Sequence, residues 1–138
     1  MSYSNAFSHA ISIMLYVHVK IQNEHYEYLT TKSIASSLNI PAPTVVKVIQ
    51  KLNAANLLIS KTGVDGGRSL ANPISDITLY DVFVAVEQNN PLFKTHTKYN
   101  ISGDVVDGAK ANLSDAIQQA EDSMHDILKG ISLMDLLR

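Results

Sequence analysis

The chain contains no cysteine. That absence removes disulfides, thiolate metal sites, thiol redox switches and cysteine nucleophiles together. Long apolar runs are missing as well. None approaches the ~20 residues that span a bilayer, and Met1 to Asn5 has neither the basic start nor the apolar core of a signal peptide. The expectation is a soluble cytoplasmic protein with no membrane partner. The histidines, His9, His18, His25, His96 and His125, never fall at HxxxH or HExxH spacing, so no metal site is expected. Glycines gather at Gly63, Gly66 and Gly67, yet no GK[ST] and no helix follow directly, which argues against a nucleotide loop. Acids are scattered rather than paired, and no Ser-His-Asp order stands out. Neither an enzyme nor a cofactor is expected.

What is present is one basic island. The 138 residues carry a net charge of −2. Residues 29 to 70 hold Lys32, Lys47, Lys51, Lys61 and Arg68 against the single acid Asp65, a local net of +4, while residues 71 to 138 sum to −5. A basic stretch in an acidic chain is the footprint of a surface that meets phosphate. The length fits one domain with room for a dimerising appendage.

In chain order, Phe7, Ala10, Ile11, Met14, Leu15 and His18 recur at helical spacing and predict a scaffold helix. Residues 24 to 28 are a polar, aromatic connection able to pair weakly as a strand. Thr30 is placed to cap a short helix whose inward face is Ile34, Ala35 and Leu38, with Asn39 ending it and Ile40 plugging the turn. Pro41 and Pro43 suit the start of a second helix, because their missing amide hydrogens would be unpaired there. Its core face is Val45, Val48, Ile49 and Leu52; the opposite face shows Ala42, Thr44, Lys47, Gln50, Lys51 and Asn53, with Val46 as an exposed apolar exception. Leu57 to Lys61 and Arg68 to Ala71 read as extended segments around the glycine tip. Thr78 to Asp81 has capping-box spacing ahead of a short core helix. Asn89 to Val105 lacks periodicity and reads as a loop of 17 residues, longer than the usual connection of about 4 to 6 and so a candidate for function. From Ala109, a helix carries Leu113, Ile117, Ala120, Met124, Ile127, Ile131 and Met134 at alternating spacings of four and three, a coiled-coil seam. Gly130 is placed to interrupt it, and Ser132 to Asp135 repeats the capping pattern before a short terminal helix.

Several of these segments, taken together, resemble the Rrf-type winged helix-turn-helix repressors, which include the iron-sulfur assembly regulator, a nitric-oxide-sensing repressor and a cysteine-metabolism repressor. The matching elements are Lys32-Ser33-Ile34-Ala35, Val45 to Leu52, Leu57-Leu58-Ile59-Ser60, the tip from Gly63 to Gly67, Asp76 to Val82, and Ile131 to Leu137. The resemblance implies a homodimer, joined by the long C-terminal helix, on a partly palindromic double-stranded DNA operator. Three departures stand out. The loop in which many members hold an iron-sulfur cluster has no cysteine here, the wing has Lys61-Thr62 and Arg68 where arginine and an aromatic are frequent, and Met1 to His9 contains no Lys or Arg.

The fold class expected is therefore mainly α with a small β-wing: a winged helix-turn-helix domain over residues 1–88, a loop over 89–108, and a dimerisation helix with its terminal segment over 109–138. Helix 43–55 would read the major groove, assisted by the wing 57–71. Candidate DNA-contacting residues are Thr30, Lys32, Ser33, Ala42, Thr44, Lys47, Lys51, Lys61 and Arg68. Candidate dimerisation residues are Leu113, Ile117, Ala120, Met124 and Ile127. An effector, small molecule or protein, would find its best place at Phe93, His96 and Tyr99. The alternative function is a winged-helix protein-interaction module with weak or lost DNA binding, supported by the small, neutral Ala42, Thr44 and Val46 on the exposed face.

Overall fold

The apolar residues of the first helix set the frame. In the computed structural model, which describes residues 5–24, 28–63, 66–87 and 90–138, α1 (Ala6–Glu24) lies against the second, third and fourth helices and one wing strand. Its fully buried row is Ala10, Ile13, Met14 and Val17. Only Ala10 and Met14 belong to the row expected from spacing; Phe7, Ile11 and Leu15 pack half-buried at its margin. The helix is apolar on more than one side, so two rows satisfy the same periodicity and the surrounding elements select between them.

The second helix, α2 (Thr31–Leu38), starts where Thr30 Oγ1 accepts from the Ser33 amide at 3.1 Å, and the Ser33 hydroxyl donates back to the Thr30 carbonyl at 3.1 Å. Such a cap is worth about 1 kcal/mol. Asn39, at φ 54°, ends the helix in the left-handed region, and Ile40 closes the turn beneath it. The third helix, α3 (Ala42–Ala54), has a proline in its first turn and buries Val45, Val48, Ile49 and Leu52. Asn56, at φ 60°, then directs the chain into β1 (Leu58–Lys61). This strand pairs antiparallel with β2 (Gly67–Leu70), from Leu58 opposite Leu70 to Lys61 opposite Gly67. Leu29 adds an isolated bridge to Arg68, with amide-to-carbonyl bonds of 2.9 and 2.7 Å. Residues 25–27 of the expected weak strand lie outside the described residues.

A short 3-10 turn (Ile74–Asp76) precedes α4 (Leu79–Glu87). The expected capping box is formed: the Thr78 amide donates to Asp81 Oδ2 at 2.9 Å and the Asp81 amide to Thr78 Oγ1 at 3.1 Å. The last helix, α5 (Asp104–Lys129), begins five residues before Ala109 and takes Asp104 and Val105 from the expected loop. Asp104 and Asp107 occupy its first turn, where carboxylates favour the free amides. Past Gly130 the chain turns back. The Leu79 amide donates to Ile131 O at 2.8 Å and the Leu133 amide to Ile77 O at 2.9 Å. Leu133 is fully buried, a burial worth about 2 kcal/mol. A final 3-10 turn (Met134–Leu137) is capped by Ser132 and Asp135. The result is a winged helix-turn-helix fold with a long C-terminal helix. Among the described residues no helix is long and apolar enough to cross a membrane.

Candidate nucleic-acid interface

Burial of Val45, Val48, Ile49 and Leu52 fixes which side of α3 faces outward: Ala42, Pro43, Val46, Lys47, Gln50, Lys51 and Ala54 are exposed, and Thr44 is half-buried. The wing is held beside this helix by Asn53, whose side-chain nitrogen donates to the Ser60 hydroxyl at 2.7 Å. Gln50 sits between the two lysines on the exposed side, and its amide has the bidentate geometry that pairs with adenine N6 and N7. It was legible as part of the exposed face but was missing from the expected contact set.

The two lysines differ. Lys51 Nζ donates to the Val86 carbonyl at 3.4 Å, a long bond that places a cation at the C-terminus of α4, where the helix dipole favours it. Lys51 therefore ties α3 to α4. Lys47 lines a shallow depression of about 230 Å³ with Thr44 and with Asn5 and His9 from the start of α1. The sequence lacks Lys and Arg before Lys20, yet the fold brings the electropositive end of α1 and the His9 imidazole beside α3. No local pattern announces that juxtaposition, because it comes from packing across more than thirty residues.

At the other candidate positions, Thr30 and Lys32 are exposed and Ser33 is half-buried. The oxygen of Thr30 accepts in the helix cap, which leaves its hydroxyl hydrogen to donate to an outside acceptor. Lys61 is exposed, with its ammonium 5.6 Å from the centre of the Tyr28 ring. Arg68 is half-buried at the base of the wing: Nη1 donates to the Gly67 carbonyl at 3.3 Å, while Nε is enclosed with no hydrogen-bond partner among the described residues. The expected dimerisation residues divide. Leu113 (51 % exposed), Ala120 and Ile127 (64 % exposed) face outward, whereas Ile117 and Met124 are half-buried.

A capped two-helix turn, a second helix with an exposed basic side and a glycine-tipped two-stranded wing define a winged helix-turn-helix DNA-binding regulator. The chain belongs to the Rrf2 family of iron-dependent transcriptional regulators, whose model matches residues 3–138. It is 30% identical over 111 residues to YwnA, an HTH-type transcriptional regulator of Bacillus subtilis (strain 168), covering 80% of this chain and 83% of that protein. To YwgB, an HTH-type transcriptional regulator of the same organism, it is 36% identical over 66 residues, which span 48% of this chain and 42% of that one. Among solved structures, T. potens IscR superposes with a TM-score of 0.70 at 20% identity, covering 99% of this chain and 86% of that chain. CymR, the global cysteine regulator of B. subtilis, gives a TM-score of 0.68 at 24% identity, covering 99% and 95%.

The family description carries an iron dependence that these residues do not fit. The chain offers no thiolate, and among the described residues no three His, Cys, Asp or Glu side chains converge into a metal-binding group.

Proposed function

We propose that this protein is a homodimeric repressor that reads a partly palindromic operator, with residues 1–88 binding DNA and residues 109–138 joining the two copies. The observation that carries this reading is the exposed side of α3. Thr44, Lys47 and Gln50 stand there beside the electropositive start of α1, inside the net-positive stretch of the chain. Thr44 and Gln50 supply donors for base edges, Lys47 for guanine or phosphate, and Thr30, Lys32 and Lys61 for the backbone on either side. Ala42 leaves room for close approach. The outward row of Leu113, Ala120 and Ile127 supplies the contact between copies.

Lys47→Ala tests the assignment without disturbing the core, since Lys47 is exposed. Binding to operator fragments selected from genomic DNA should weaken about tenfold, the scale of one good contact, with thermal stability unchanged. Equal binding at fixed salt would remove α3 from the interface. A second reading, a protein-interaction module, draws on exposed Val46 (40 %) and on the engagement of Lys51 with Val86. It requires a salt-insensitive complex with a protein and no shift of promoter DNA.

A further inference from the structure

Residues 90–103 contain two lysines, a histidine and no acid, within a C-terminal half that is otherwise acidic. This loop lies over the N-terminal half of α5 and is fastened there by the Leu92 amide, which donates to Glu121 Oε1 at 2.7 Å. Between loop and helix is a pocket of about 270 Å³. Leu113 and Ile117 give it an apolar floor, and Phe93, His96 and Tyr99 give it ring-bearing walls. Phe93 and Tyr99 stay 51 % and 43 % exposed around it, an unusual placement for such large side chains. The His96 and Tyr99 rings are tilted together at 5.5 Å, and the Lys110 ammonium stands 4.7 Å from the Tyr99 ring centre. Glu121, the one carboxylate lining the pocket, is already committed to the Leu92 amide.

An apolar floor with aromatic walls and a cation at the rim selects a flat apolar body carrying a negative group. We propose that this pocket binds a small aromatic or heteroaromatic carboxylate, its ring between Phe93 and Ile117 and its carboxylate toward Lys110 and His96. A bound ligand would brace the loop against the helix that carries Leu113 and Ile127. Its effect on operator binding rests on the dimeric reading above; the binding itself does not.

The test uses the full chain with methyl-labelled isoleucine and leucine, titrated with benzoate, 2-naphthoate and the neutral analogue benzamide. Both acids are expected to shift the Ile117 and Leu113 methyl resonances, with benzamide at least tenfold weaker. Lys110→Gln should abolish the preference for acid over amide, and His96→Gln should reduce it, while the other methyl resonances of both variants stay in place. Three results would each overturn the proposal: no shift at Ile117, equal binding of acid and amide, or shifts confined to Val48 and its neighbours on the basic face. Operator binding in the absence of ligand is measured separately, so failure of the pocket leaves the DNA reading intact.

Discussion

Gly67 shows how a single residue sets the wing. Its φ of 148° lies in the range that side chains rarely adopt, and a Cβ there would stand 2.5 Å from the Leu29 carbonyl oxygen. That close approach lets Leu29 and Arg68 exchange their two backbone hydrogen bonds. Gly67→Ala is expected to cost about 1–3 kcal/mol and to lower the midpoint of thermal unfolding by several degrees; a variant with wild-type melting would contradict the role given to this contact. Asp135 works at the other end of the chain. The Ser132 amide, foremost, with the Ser132 hydroxyl and Arg138 in support, holds its carboxyl below the usual carboxylate range against an opposing desolvation effect. A depressed value means stability that is present above the ordinary carboxylate range and lost as pH falls through Asp135's own lower value. Carbon-detected NMR titration should find Asp135 ionising below a typical aspartate, and Ser132→Ala should raise it only in part, because the amide remains. The three caps at Thr30, Thr78 and Ser132 were readable from sequence because their partners lie three residues away. The partner of Lys51 is the carbonyl of Val86, thirty-five residues on, and no local rule reaches it.

At the scale of elements, α5 carries the most instructive mismatch. Its alternating four- and three-residue spacing reads as one seam, but the structure resolves two. Ile117, Glu121, Met124 and Leu128 turn toward the protein's own loop and domain, where His125 packs edge-on against Tyr80 at 5.2 Å and beside Phe83 at 5.5 Å. Leu113, Ala120 and Ile127 remain outside. Spacing fixes that a helix has an apolar stripe, and cannot divide a wide stripe between two neighbours. The two halves make opposite predictions. Ile127→Asp should leave the fold intact and, by light scattering, shift the protein to monomer, since it places a charge in the contact between copies. Met124→Asp should lower the melting temperature instead, because that side chain is half-buried within its own chain. A dimeric Ile127→Asp would remove the outward row from the interface. The start of α5 at Asp104 was missed for a related reason: Val105 is 87 % exposed, so an apolar pattern carries no information there.

For the whole molecule, the order of elements and their turn chemistry made the fold readable, and the +4 island in a chain of net −2 made its partner readable. Fine assignment of the site was less so. Arg68 folds back on the wing base, Lys51 is shared with α4, and His9 and Asn5 join the surface from the far end of the sequence. The DNA-facing surface is consequently built from two helices and a wing, with fewer free cations than the sequence suggests. The most direct test is binding of selected operator DNA followed by anisotropy across a salt series. Two copies making ~6–10 phosphate contacts should give a log-log slope of order −5 to −9, and Lys47→Ala should weaken binding and reduce the slope by no more than about one. A flat salt dependence in the wild type, or identical curves for the two proteins, would contradict the account.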